Sequence, residues 1–396
     1  MQLTGKRVVV ANWRDLDHSL AGGAEHYAWE FARALRDAGA QVDFISAREP
    51  GQPRREHREG VRILRGGGQF TFYLMAGLYL LLHRRRLDVV VDADCGIPVF
   101  SPLFVSRRRT GIVLLVHHVH LEQFRTYFPA PLAWFGRFLE GTVMPRVYSG
   151  VTTVAVSDST RREMVEQLGW QEPVGLLANG NTPTAPVTVD AADTVDRLVV
   201  LGRLAPHKRV DLVIRAVAAL SVVRPTIQLD VIGKGPDLAR LAGLVGDLEI
   251  EKHVTLHGYL DQQAKEQVMS RARLHVCASD VEGWGQVVIE AASYGVPTVA
   301  RNVPGLRDSV RDTRTGWLLD EPSVDLGAVQ ARLLVGIGTA LIELEDDERR
   351  EEVAGECRAW SAGFTWDAMH EGAVAIVKGA LLKTSSSPSA SAETDG

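Results

Sequence analysis

The chain has 396 residues, of which 45% are hydrophobic and 23% charged, and its net charge is −5. That length leaves room for two domains of ordinary size, each with its own core. The acidic balance, with no basic face interleaved with aromatics, excludes a nucleic-acid binder. No apolar run reaches the roughly 18 residues of a membrane span. Residues 1–7 lead straight into a strand-like run without a signal-peptide core. Cys95, Cys277 and Cys357 are scattered and lack ligand spacing. They read as free thiols of a reducing cytosol.

A β-branched run at 7–12 predicts the first strand, and Gly22-Gly23-Ala24-Glu25 follows it and opens a helix. Glycine lets a backbone approach phosphate or sugar closely, and the helix N-terminus adds a favourable dipole. A plain turn accounts for the same four residues. Helical periodicity over 24–38 stops at Gly39. Further strands are predicted at 42–46, 61–64, 89–92, 112–116, 151–156 and 174–177. Continuous apolar runs of this kind suit a parallel sheet buried on both faces.

Residues 70–82 (FTFYLMAGLYLLL) are strongly apolar; His83-Arg84-Arg85-Arg86 comes next and Arg107-Arg108-Arg109 lies further on. The run is too short to span a bilayer. It reads either as a buried helix or as a helix in the membrane interface, with arginines on anionic headgroups. Asp92-Ala93-Asp94 closes a strand and reads as structural rather than as a metal triplet. His117-His118-Val119-His120 ends the strand at 112–116. No acidic or cysteine partner is near in sequence, so a sugar hydroxyl or acceptor chemistry is the expected task, not a metal.

The polar stretch 181–196 reads as a linker, after which strands are predicted at 198–201, 228–232, 254–256, 274–278 and 298–300. Two consecutive βα repeats imply an α/β chain with two doubly wound domains facing a central cleft, binding ligands at the carboxyl ends of their strands. The predicted organisation is a first domain over 1–182, a linker over 183–196 and a second domain over 197–365. A helix over 366–383 is expected to pack back on the first domain, and a polar tail over 384–396 to be disordered. Residues 1–180 carry 22 Lys+Arg against 18 Asp+Glu, leaving 22 against 31 for the rest. This asymmetry fits domains with different tasks.

Three motifs of the second half carry chemistry. In GRLAPHKR, over 202–209, Arg203 and Lys208 place two cations in one strand-to-helix loop, suited to a departing diphosphate or simply to solvent. Gly233-Lys234-Gly235 ends a strand, and a lone G-x-G is weak evidence of nucleotide contact. Glu282 and Glu290 flank Gly283-Trp284-Gly285-Gln286. Their spacing is a little over two helical turns, so both acids fit along one face with a helix N-terminus at a phosphate. Two surface glutamates satisfy the spacing equally.

Together the ordered set G-G-x-E, strand-His, G-R-x4-K and E-x7-E resembles glycosyltransferase family 4, retaining enzymes of the GT-B fold with two Rossmann-like domains. The resemblance runs from Gly22 to about Trp366 and implies roles position by position. Gly23 would lie close to the donor diphosphate or the acceptor, with Gly22, His118 and His120 on the acceptor side. His117 is the best match to the cleft histidine near the transferred sugar, with His118 the fallback. Arg203 and Lys208 would bind the diphosphate, Glu282 the sugar hydroxyls and Glu290 the ribose. The backbone at Gly283, Trp284, Gly285 and Gln286 would support sugar and phosphate. Gly233 and the loop around Tyr259 would sit at the nucleotide. Trp284 stands where the family often has Phe, and the three-histidine cluster is richer than the usual single His.

The resemblance implies a UDP- or GDP-sugar donor, a glycan, lipid-linked or small-molecule acceptor, front-face attack, and neither a metal nor another cofactor. It also implies work in polysaccharide or cell-envelope assembly, in the cytoplasm at the inner face of the membrane. A contact of residues 70–86 with anionic lipid would suit a lipid-linked acceptor. A nucleotide-sugar 2-epimerase of the same fold is the alternative.

Overall fold

The structure is a computed structural model, and it describes residues 3–94, 96–171, 173–182, 196–320 and 325–385. Cys95, most of the expected linker and the tail beyond 385 lie outside the described residues. The chain divides into two compact units, Met1–Gly180 with Trp366–Gly396, and Asn181–Thr365.

In the first unit, β1 (Arg7–Ala11), β2 (Gln41–Ser46), β3 (Arg55–Arg58), β4 (Val61–Arg65), β5 (Val89–Asp94), β6 (Gly111–Val116), β7 (Thr152–Ala155) and β8 (Val174–Leu176) form one sheet. Its order is β3-β4-β2-β1-β5-β6-β7-β8. Every residue of β5 and β6 is buried, because helices cover both faces of a central parallel strand. Only β3 runs antiparallel, paired with β4. The hairpin turns at Glu59-Gly60, both left-handed at φ 48° and 77°, the backbone a tight hairpin requires. The polar sequence of β3, REHR, hides this strand from a hydrophobic-pattern reading. The last helix, Trp366–Ser385, packs on Gly23–Asp37 and β6, and His370 Nε2 meets Glu30 Oε2 at 2.9 Å. It runs past the expected start of the tail at 384.

The second unit holds β9 (Arg197–Leu201), β10 (Gln228–Ile232), β11 (Val254–Gly258), β12 (Leu274–Cys277), β13 (Thr298–Arg301) and β14 (Gly316–Leu319). They lie in the order β11-β10-β9-β12-β13-β14, all parallel. Strand order therefore reverses at β9 and β12, the place where open doubly wound sheets bind ligands. In the first sheet the same reversal falls at β1 and β5. The helix Leu326–Glu343 is long and apolar enough to cross a bilayer by composition alone. Its Val329, Leu333, Ile337 and Leu341 are instead buried in the core against β12, β13 and β14.

Candidate functional site

In the second unit the loop after β9 passes through a turn, Pro206–Lys208, before the helix Val210–Leu220. The loop after β12 leads to the helix Gln286–Ser293, whose N-cap Gly285 is left-handed at φ 79°. Several bonds lock the two loops together. Lys208 Nζ forms an ion pair with Glu282 Oε1, and Ser279 Oγ donates to the same oxygen at 2.9 Å. The Asp280 amide donates to His207 O at 2.8 Å. The Asp280 carboxylate accepts from Arg209 Nε at 2.7 Å and from Arg301 Nη1. Gly202, Arg203, Lys208, Ser279 and Glu282 line one cavity at this switch point.

The electrostatics follow from these contacts. Burial pushes the Glu282 carboxyl up, but the charge and hydrogen bond of Lys208 and the Ser279 hydroxyl outweigh it, leaving its pKa below the ordinary carboxylate range. His207 goes the other way: burial and then the Lys208 charge lower it to about 4, so it is neutral near pH 7. Gly233 and Gly235 explain themselves by packing. A Cβ on Gly235 would lie 2.0 Å from Leu204 O, and one on Gly233 would lie 1.8 Å from Gly202 O. The G-x-G motif thus brings the loop after β10 against the loop carrying Arg203.

Glu282 and Glu290 are not the helical pair that their spacing suggests. The helix begins at Gln286, so Glu282 precedes it and the two acids do not share a helical face. Each has its own lysine, since Glu290 Oε1 pairs with Lys265 Nζ. Gly283 is half-buried beside Glu282. Trp284 is buried edge-on against Phe364, with ring centroids 4.9 Å apart, so its indole belongs to the core while its backbone leads into the helix N-terminus. Tyr259 is 70% exposed, with the Lys234 ammonium 5.2 Å from its ring centroid. Asp280, Arg209, Arg301 and Ser279 escaped sequence reasoning. Adjacency of Arg209 to Lys208, and of Asp280 to Glu282, was the available signal.

In the first unit, Gly22 caps the helix Gly23–Asp37 and donates its N–H to Glu25 Oε2 at 2.6 Å. Arg14 Nε holds the other Glu25 oxygen at 2.7 Å. A Cβ on Gly23 would meet nothing within 4 Å, so this glycine leaves a helix N-terminus open rather than relieving a clash. β6 ends at Val116, so the three histidines lie in the loop beyond it. His117 is buried edge-on to Tyr27 at 5.2 Å, its Nε2 has no partner, and burial lowers its pKa to about 3. The His118 and His120 rings lie close and tilted by 36°, centroids 3.8 Å apart, and His118 Nε2 meets Gln123 Oε1 at 3.0 Å. His120 has an acidic neighbour after all: its amide donates to Glu140 Oε1 at 2.6 Å, and its Nδ1 lies 3.3 Å from that oxygen. Asp92 is structural, accepting from the Val99 and Ser101 amides and the Tyr148 hydroxyl. Asp94 lacks such a set and stands beside His120 and Glu140.

Residues 21–184 match the family described as Glycosyltransferase Family 4, and residues 186–334 match Glycosyl transferases group 1. Over 172 residues the chain is 32% identical to a GDP-mannose-dependent alpha-(1-6)-phosphatidylinositol monomannoside mannosyltransferase of Mycolicibacterium smegmatis, covering 41% of this chain and 42% of the relative. The chain therefore spans under half the length of that curated relative. A phosphatidyl-myo-inositol mannosyltransferase of Mycobacterium leprae is 23% identical over 343 residues, covering 79% of this chain and 83% of its own. Among solved structures, sucrose-phosphate synthase from Thermosynechococcus elongatus superimposes with a TM-score of 0.74 at 19% identity, covering 93% of this chain and 97% of that one. At that identity the likeness speaks for the fold alone.

Proposed function

The chain belongs to the family 4 glycosyltransferases of the GT-B fold, and we propose that it moves a hexose-type sugar from a UDP- or GDP-sugar to a glycan, lipid-linked or small-molecule acceptor with retention at the anomeric carbon. The observation that carries this reading is the Lys208–Glu282 pair beside Arg203 at the switch point of the second sheet. Arg203 and Lys208 neutralise the charge that develops on the departing diphosphate. Glu282, ionised and anchored by Lys208 and Ser279, accepts from sugar hydroxyls. Glu290 takes the ribose hydroxyls in exchange for Lys265, while the amides at Gly283–Gln286 face phosphate from a helix N-terminus. Tyr259 borders the base. His117, neutral and with an unpartnered ring nitrogen, binds a hydroxyl of the transferred sugar. Gly22, Gly23 and His118 serve the acceptor side.

In front-face attack the acceptor oxygen bonds to the anomeric carbon as the bond to the β-phosphate oxygen breaks, and that oxygen takes the acceptor's proton. No side chain here is cast as a covalent nucleophile. The protein's contribution is positioning and charge stabilisation, and Arg203 and Lys208 supply the positive charge without a metal. The mannosyltransferase relatives make GDP-mannose the first donor to test.

The test is a thermal-shift screen against UDP-, GDP- and ADP-sugars, because a donor that binds the native state raises the midpoint. NMR of the product with the winning donor then reads the anomeric configuration. An inverted product would overturn retention, and sugar turnover without nucleotide release would point to an epimerase.

A membrane-facing role rests on the helix Phe72–His83. It buries Phe72, Ala76 and Leu80 but exposes Leu74 at 75% and Leu82 at 71%, with exposed Arg84, Arg85 and Arg86 directly after. Apolar side chains beside arginines suit an anionic bilayer surface. The double variant Leu74→Glu, Leu82→Glu should no longer sediment with phosphatidylglycerol vesicles that retain the wild type. Equal sedimentation of both proteins would remove the membrane from the proposal.

A further inference from the structure

We infer that Asp94, His120 and Glu140 form a divalent-cation site in the first unit, built from two carboxylates and one imidazole. The three arrive from separate elements: Asp94 ends β5, His120 precedes the helix Leu121–Tyr127, and Glu140 sits in the π-helical turn Leu139–Val143. Widened turns of this type recur at functional sites. One ligand atom from each residue lies within 4.8 Å of the others, and all three residues are buried.

The lone pairs left over show where a cation belongs. Asp94 Oδ1 accepts from the Gly96 amide at 3.1 Å, while its Oδ2 is buried with no partner. Glu140 Oε1 accepts from the His120 amide, while its Oε2 is likewise buried with no partner. Asp94 is 0% exposed and Glu140 1%. Among the described residues, no Lys or Arg forms an ion pair with either carboxylate. The nearby Arg137 is engaged by Leu121 O and Glu122, and Arg14 by Glu25. Buried carboxyl oxygens without donors are costly. Asp92, two residues earlier in the same strand, shows how this fold satisfies an acid when it needs only hydrogen bonds.

A dication meets all three needs together: it offsets the two acids, fills both vacant lone pairs and takes an imidazole nitrogen. Two oxygens and one nitrogen make a borderline donor set, suited to Zn²⁺ or Mn²⁺. Ligand bonds of about 2.1 Å place tetrahedral donors roughly 3.4 Å apart, so the side chains draw in by a small rotation. The cation would brace the end of β5 to the loop after β6 and, through the His120 ring, hold the His118 ring tilted against it. It takes no part in the transfer step, so the site stands or falls separately from the donor-site reading.

The experiment strips the full-length chain with a chelator and measures Mn²⁺ and Zn²⁺ binding by equilibrium dialysis, with the thermal midpoint as a second readout. One equivalent of one cation per chain is expected, with a midpoint that climbs with its concentration. Asp94→Asn and Glu140→Gln, close in shape to the native side chains, should each weaken binding by about tenfold or more. For either variant that fails to fold, Co²⁺ in the wild-type chain gives the answer, its visible absorption reporting mixed nitrogen and oxygen ligation. The proposal is overturned by stripped wild-type chain that binds none of these cations. It is equally overturned by cation binding that both variants retain.

Discussion

Glu282 and Glu140 are both largely shielded glutamates on segments that leave the ligand-binding ends of their sheets, yet their environments drive them in opposite directions. Burial raises the pKa of each. At Glu282 the Lys208 ammonium and the Ser279 hydroxyl reverse the sign and keep the carboxylate charged. At Glu140 the His120 amide and the more distant Arg137 charge offset only part of the burial, and the pKa stays above the ordinary carboxylate range. Burial therefore does not decide the charge of an acid in this protein; the cation supplied with it does. The second unit carries its own cations into its site as Arg203 and Lys208, whereas the first unit assembles two acids and leaves the positive charge to be brought in.

The strongest challenge to this contrast is Lys208→Ala. It removes the compensating charge from Glu282 and half of the diphosphate clamp, and steady-state turnover should fall by roughly 10²- to 10³-fold with the circular dichroism spectrum unchanged. Normal turnover would dissociate the pair from catalysis. Glu282→Gln keeps shape and removes charge; kcat/KM should fall by about 10- to 100-fold, with product configuration unchanged. Asp280→Asn tests the scaffold rather than the chemistry. It weakens the pairs with Arg209 and Arg301, and because Asp280 is 31% exposed the loss should be about 1 kcal/mol, read by chemical denaturation.

The same rule applies to a base. His275 on β12 is fully buried, and burial lowers its pKa to about 4 despite the favourable charge of Glu282. The unfolded chain binds that proton near pH 6.5 and the folded chain does not, so stability falls as pH drops from about 6.5 to 4. His275→Asn, which can still meet Thr298 Oγ1 as Nδ1 does now at 3.0 Å, should lose less over that window. Identical pH slopes of the thermal midpoint would assign the acid sensitivity to other groups.

Much of the fold was legible in local pattern. The continuous apolar runs of β5, β6 and β12 reveal buried parallel strands because a strand buried on both faces has no polar side to show. β3 was invisible for the converse reason: its hairpin is set by backbone sign at Glu59 and Gly60, with no hydrophobic pattern to read. β14, Gly316–Leu319, is a short strand directly after a turn and was missed as well. The loop cations Arg203 and Lys208 and the acid Glu282 were legible as types at suggestive places. Their partnership was not, since Lys208 and Glu282 are 74 residues apart and only the adjacency of β9 and β12 joins them.

The amino-acid sequence by itself determined two βα arrays, their strand order in the chain, and a set of charges at strand ends that resembles a sugar-nucleotide transferase. Tertiary structure alone decided which charges meet. It separated Glu282 from the helix that spacing suggested, gave Glu290 to Lys265, and ended β6 before the histidines. It also brought Asp94 and Glu140 to His120, which sequence proximity had left without an acidic partner. Periodicity records which face of an element avoids water. The sign and strength of an electrostatic contact depend on distances and burial that exist only once distant segments have packed.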